Sequence, residues 1–474
     1  MKDSYDFIVI GGGSAGYAAA RTAHELGMST AVIDGAEELG GLCILRGCMP
    51  SKTLIESANR FRSMRRAEEF GLRSGAIEVK PEEIIARKRK LIGEFAEYRQ
   101  EQLADGRFDL IRGTASFSGE NQLEVSLNDG KGSHTVNFKS VLIATGSRIT
   151  RVPIAGLEET GYWTSNDVLE ASELPDSIIV LGGGAIALEM ACYLEGLGKD
   201  VTVIQRSDQV LSGSDRDITD ALEEALTERE NFTLFTGTSI TKVGQDVESG
   251  KKSVVFMHGG EEKTVSADQI LQALGRSPNS DGLALDNGSV SLRERSKQIE
   301  TNDEQVTSNS SIFAAGDVCG PHEIVHIAIE QGEIAAHNAA VDLGFSKEPK
   351  RHINYRLKLL GIFTDPEIAM VGLSENEARA AGIPFAAASY PFNDHGKSMV
   401  KGETHGFVKM IANTETGEII GASVIGPDAV DLIHEVVVAM HFRATAADFV
   451  KIPHYHPTLS EIWEYPAEDL LFPE

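Results

Sequence analysis

The chain has 474 residues and carries 71 acidic against 44 basic side chains, a formal charge of -27. That balance argues against nucleic acid as a partner, since affinity there comes from Lys and Arg at phosphates, and it disfavours an anionic membrane surface. No stretch approaches about 18 apolar residues and the start lacks a signal-peptide pattern, so no membrane association and a cytoplasmic location are expected. Four cysteines in a chain long enough for about three domains are no secreted disulfide framework, so a reactive pair would be catalytic or redox-sensing.

Residues 7–34, FIVIGGGSAGYAAARTAHELGMSTAVID, read as an apolar strand, a turn carrying Gly11, Gly13 and Gly16, a helix with small residues on one side, and a second strand. Glycines there allow a tight turn and let a pyrophosphate approach the helix N-terminus. Residues 178–205, IIVLGGGAIALEMACYLEGLGKDVTVIQ, align with the first stretch without a gap, placing Gly182, Gly184 and Ala187 at the same positions. One glycine pattern is weak; two full-length copies in register predict two nucleotide-binding units. The copies end differently. Asp34 suits the hydroxyls of an adenosine ribose, whereas Gln205 is followed by Arg206, which suits a 2′-phosphate. The first unit is therefore expected to hold FAD and the second a nicotinamide cofactor, NADPH or NADH with NADPH favoured. An ordinary solvated side chain is the alternative for Arg206.

Between the copies, GGLCILRGCMPSK (40–52) sets Cys43 and Cys48 five positions apart. On an ideal helix such residues have Cα atoms roughly 8.6 Å apart, and a disulfide needs about 7 Å or less. A bond between them would require distorted backbone, which Gly47 permits, and a strained local disulfide is easily reduced. Two buried thiols or half of a metal site remain open from spacing alone, although no second cysteine pair exists to complete a metal site. Cys192 and Cys319 sit in apolar surroundings and read as core.

VLIATGS (141–147) and SIFAAGDV (311–318) read as strands that end where a cofactor would meet Thr145, Gly146 and Asp317; an Asp at the last position can equally cap a helix. Near the end, KIPHYHPTLSEIW holds His454, His456 and, five residues past the latter, Glu461. A carboxylate can fix a histidine's tautomer and keep it basic, and Pro453 and Pro457 favour a non-helical path. Solvated histidines on a surface segment are the alternative.

Taken in order, GGGSAG, GGLCILRGCMPSK, LIATGS, GGGAIALE, ALGRSPN, FAAGDV, IFTDPEIAMVGLSENEA and HPTLSE resemble the pyridine nucleotide-disulfide oxidoreductases, the flavoenzyme family of glutathione reductase, dihydrolipoyl dehydrogenase and mercuric reductase. The resemblance spans nearly the whole chain. It implies an α/β fold of two Rossmann-like domains plus a C-terminal α+β interface domain of a homodimer: FAD domain 1–150, NAD(P) domain 151–275, central domain 276–348 completing the FAD site, and dimerisation domain 349–474. By matching position, Cys43 resembles the thiol that exchanges with substrate and Cys48 the charge-transfer thiol at the flavin, together a redox disulfide. His456 with Glu461 resembles the acid-base pair that similar enzymes deliver from the partner subunit, Lys52 and Glu189 match an ion pair near the flavin ring, and Gly275 of ALGRSPN joins the cofactor set. No metal ligands are implied.

The implied activity passes electrons between nicotinamide, FAD and a small-molecule or protein-bound disulfide or dithiol. IVHIAIEQG is similar to the lipoyl enzymes, which makes a dihydrolipoyl-dehydrogenase-like reading the preferred one. Glu333 stands where glutathione reductases carry an arginine, so repulsion of glutathione carboxylates is expected, and no cysteine follows Cys319 where mercuric reductases carry a pair. A glutathione-type or mercuric reductase is the alternative within the family, and a redox-sensing flavoprotein the alternative outside catalysis. Ala185 replaces a tyrosine that often covers the nicotinamide pocket, and Ser212 stands where phosphate-binding members add a second arginine.

Overall fold

The computed structural model describes residues 2–73 and 75–471. The chain forms two compact units. The first comprises the chain up to Ser51, Ala86–Thr150 and Arg276–Asn354. Its seven-stranded sheet runs in the order Asp109–Ile111, Thr30–Ile33, Ser4–Ile10, Ser133–Ile143, Gln122–Leu127, Gly113–Gly119, and Ile312–Ala314 pairs with the C-terminal end of Ser133–Ile143. The central pairings are parallel, and Phe7, Ile8 and Val9 are wholly buried, which explains an unbroken apolar run in place of alternation. Helices Ser14–Glu25 and Val325–Asp342 pack together so closely that a Cβ on Gly332 would fall 2.3 Å from the Ala15 carbonyl oxygen.

The second unit comprises Lys52–Ile85, Arg151–Gly275 and the chain from Tyr355 onward. The later glycine repeat builds a parallel sheet in the order Phe232–Phe235, Asp200–Ile204, Ser177–Leu181, Gln269–Gln272. Beside it in sequence lies the antiparallel meander Ser239–Gln245, Lys252–His258, Glu261–Ala267. The C-terminal segment forms a five-stranded antiparallel sheet, Leu359–Ile362, Glu367–Gly372, Ile419–Gly426, Phe407–Asn413, Phe385–Pro391, over a core containing Phe392, Phe449 and Trp463. The α/β class with two Rossmann-like repeats and a C-terminal α+β part is as expected from the sequence. No described helix is long and apolar enough to cross a membrane.

Candidate active site

The two glycine turns have the same geometry. Gly11 and Gly182 adopt φ of 103° and 113°, and a Cβ on either would meet a carbonyl oxygen at 2.5 Å, that of Ala144 and of Ala273 respectively. Only glycine tolerates both conditions. A Cβ on Gly16 would lie 1.8 Å from the Gly11 carbonyl oxygen, whereas the second copy accommodates the methyl of Ala187 in full burial. Gly13 and Gly184 each precede a 12-residue helix, Ser14–Glu25 and Ala185–Gly196, so both turns aim free backbone N–H groups at the place a pyrophosphate would take.

Asp34 is fixed as an acceptor: Gly12 donates to its Oδ2 at 2.8 Å and Ala36 to its Oδ1 at 2.9 Å. Gln205 holds the matching position in the second copy, its amide donating to the Gln209 carbonyl at 3.3 Å, while Arg206 beside it is exposed. At the other sheet ends, Ser147 donates to Asp317 at 2.6 Å, and Arg276 donates to the Ser147 hydroxyl and carbonyl, each at 2.8 Å. Asn279 is tied to Gly146 and Thr145, and Gly275 ends the Gln269–Gln272 strand's run with φ of 107°. The Thr145 hydroxyl is buried without a partner. An orphaned hydroxyl beside an open glycine turn and a fixed ribose acceptor fits FAD, and the open helix start at Gly184 fits a dinucleotide.

The cysteine pair lies across a break between helices rather than along one. Cys43 is on the short helix Gly41–Leu45, Arg46 leaves helical geometry at φ -144°, and Cys48 opens the helix Cys48–Arg65. Neither thiol is fully buried, and Cys48 at a helix start is where a thiolate is favoured. Cys192 and Cys319 are core, and burial pushes their thiols up, that of Cys319 to about 12. The helix of Cys43 begins against the first glycine turn, since a Cβ on Gly41 would fall 2.6 Å from the Gly13 Cα. One turn further along Ser14–Glu25, Tyr17 carries Arg99 over its ring at 4.1 Å. Neither Tyr17 nor Arg99 was marked by any motif in the sequence.

In the second unit, Lys52 donates to both oxygens of Glu189, at 2.9 and 2.7 Å, and the Phe363 N–H adds a third bond at 3.0 Å. His456 is largely exposed, and its Nδ1 meets Glu461 Oε2 at 3.0 Å, so the expected pair is assembled with Nε2 turned outward. One companion was not legible in the sequence: His395, wholly buried, directs Nε2 at Glu461 Oε1 from 3.4 Å. His454, read beside His456 in the sequence, is held between Glu464 at 2.8 Å and Glu435 at 2.7 Å. The stretch 453–459 is non-helical as expected.

One expectation needs correction. Glu333 is no free charge: Arg21 donates to it at 2.7 Å, so its repulsion of an incoming carboxylate is largely offset. His322, Glu323 and His326 have the spacing of a zinc-binding helix motif, but the helix begins only at Val325, and no group of three or more His, Cys, Asp or Glu that could hold a metal occurs among the described residues.

Paired dinucleotide cradles, a thiol pair at a helix start and a histidine-carboxylate pair define a flavin- and nicotinamide-dependent disulfide oxidoreductase. The chain belongs to the pyridine nucleotide-disulphide oxidoreductase family, whose main domain matches residues 5–332 and whose dimerisation domain matches residues 360–467. It is 34% identical to a dihydrolipoyl dehydrogenase of Bacillus subtilis over 97% of each chain. It is also 34% identical to a mercuric reductase of Staphylococcus aureus over 94% of this chain and 78% of that one. Among solved structures, a copper(II) complex of an HOCl-induced flavoprotein disulfide reductase from Escherichia coli superposes with a TM-score of 0.85 at 25% identity, covering 98% of this chain and 99% of that one. The protein is an FAD-dependent NAD(P)H:disulfide oxidoreductase, dihydrolipoyl-dehydrogenase-like in sequence.

Proposed function

We propose that this enzyme exchanges two electrons between NADPH or NADH and a small-molecule or protein-bound dithiol, with dihydrolipoyl groups as the preferred class. It would act in the cytoplasm as a homodimer with the four-part division 1–150, 151–275, 276–348 and 349–474, without nucleic acid or membrane partners. The observation that carries the reading is the pair Cys43 and Cys48, set on two successive helices at the edge of the first glycine turn. FAD would be held by Gly11, Gly13, Gly16, Asp34, Thr145, Gly146 and Asp317, and the nicotinamide nucleotide by Gly182, Gly184, Ala187, Gln205, Arg206 and Gly275. Bound FAD would supply two-electron transfer between nicotinamide and thiols, and Lys52, held by Glu189, is the cation that the family resemblance assigns to the flavin.

In the reducing direction the Cys43 thiolate attacks a substrate disulfide, forming a mixed disulfide, and the departing sulfur takes a proton from His456 of the partner subunit. Cys48 then attacks the Cys43 sulfur, which releases the second substrate thiolate and closes a Cys43–Cys48 disulfide. Two electrons from NAD(P)H reopen it, and oxidation of a dithiol runs the same steps backwards. Steady-state assays with both nicotinamides against dihydrolipoamide, lipoamide, glutathione disulfide and Hg²⁺ test the reading. Dihydrolipoamide or lipoamide is expected to give the highest kcat/KM, and glutathione disulfide or Hg²⁺ ahead of both would replace it.

A further inference from the structure

The arginines around Tyr17 are not equivalent. Arg21 is bonded to Glu333 at 2.7 Å, and Arg107 to Asp105 at 2.7 Å while it donates to the Tyr17 hydroxyl at 3.1 Å. Arg99, from the helix Pro81–Ala104, lies face-on over the Tyr17 ring at 4.1 Å and has no carboxylate partner among the described residues. It is half-buried, and its Nε is buried with no hydrogen-bond partner. A ring face compensates only part of the lost hydration of a guanidinium. Burial accordingly pulls the Arg99 pKa down, with Tyr17 and then Cys43 opposing the shift. Tyr17 lies one helical turn past Gly13, its N–H donating to the Gly13 carbonyl at 2.8 Å, and Gly13 packs against Gly41 at the start of the Cys43 helix, so Arg99 is carried to the neighbourhood of that helix.

We propose that Arg99 is a substrate-binding residue that takes a carboxylate carried by the disulfide or dithiol substrate, so that between two substrates with the same dithiolane the acid is preferred over its neutral amide. An anion arriving there completes the partner set that Tyr17 leaves incomplete, and the planar guanidinium can bind a carboxylate through two N–H groups. This rests on Cys43 being the exchanging thiol. The paired carboxylates, Glu333 and Asp105, are engaged by their own arginines and do not compete for Arg99.

Free lipoate and lipoamide share one dithiolane and differ in charge, so their kcat/KM ratio isolates the effect. Arg99→Gln is expected to lose about tenfold on lipoate, through KM, with less than about a twofold change on lipoamide. Arg99→Lys should retain most of the lipoate activity, and flavin absorbance and melting temperature should confirm that both variants fold. Equal losses on the two substrates, or no loss on either, would overturn the proposal. Cys43→Ser is the control: if it still turns over both substrates, the role given to Cys43 is wrong and the proposal goes with it.

Discussion

His395 directs its buried Nε2 at Oε1 of Glu461, 3.4 Å away, while the other oxygen of the same carboxylate bonds His456 Nδ1 at 3.0 Å. Its own Nδ1 contacts the Ser398 hydroxyl at 2.9 Å, and the Tyr465 ring presents its edge at 6.5 Å. Burial pulls the His395 pKa down, with Glu461 opposing the shift and His456 adding to it. At 3.4 Å the Nε2 contact is not aligned as a hydrogen bond, so His395 acts as a buried polar neighbour that holds Glu461 Oε1 in place. Replacing it by Phe removes that neighbour and loosens the carboxylate that orients His456. The kcat/KM profile for disulfide is expected to drop by about tenfold in His395→Phe. His395→Asn, which keeps a polar group, should follow wild type. Superimposable profiles for all three proteins would remove His395 from the proton pathway.

The nicotinamide preference follows from Gln205 and Arg206 at the end of the second repeat. A charge-assisted bond to a 2′-phosphate contributes about 1.5–3 kcal/mol, and Ser212 gives no second arginine, so a moderate NADPH preference or dual use is expected. Arg206→Ala should raise KM for NADPH roughly tenfold and hardly alter NADH, and Gln205→Glu should move use towards NADH. A wild type that strongly prefers NADH, unchanged by Arg206→Ala, makes Arg206 a solvated side chain.

Glu367 controls stability with the opposite sign from most carboxylates. Burial, with Asp428, Asp431 and Asp365 nearby, pushes its carboxyl from the ordinary 4.5 up to about 7, against the Val430 N–H. The folded chain therefore holds the proton more tightly than the unfolded one: the stabilisation is full below 4.5 and lost as pH rises through about 7. Glu367→Gln should melt above wild type at pH 8 by the equivalent of about 1–3 kcal/mol and match it near pH 4. A variant that melts lower at both pH values would refute the buried-proton account.

The sequence disclosed whatever depends on a local period or turn. The two glycine turns, Asp34, Gln205 and the cysteines were readable because a tight φ or a fixed spacing restricts the residue that can stand there. The His456–Glu461 pair was readable because both members lie in one short segment. Arg99 over Tyr17, His395 against Glu461 and Arg21 on Glu333 join residues that are 82, 66 and 312 positions apart, and Arg99 and His395 lie in no motif. Only the packing of distant helices brings them together. Glu333 shows the consequence, since a charge read in isolation proved to be half of an ion pair.

The central claim, that Cys43 and Cys48 store the two electrons, is tested most directly by counting thiols. The chain has four cysteines, of which Cys192 and Cys319 are buried in core. The oxidised holoenzyme, acid-quenched and titrated in denaturant, should show two thiols per subunit, and the same protein after anaerobic reduction by NADH or NADPH should show four. Four thiols in both states would mean that Cys43 and Cys48 never pair, and would contradict the account.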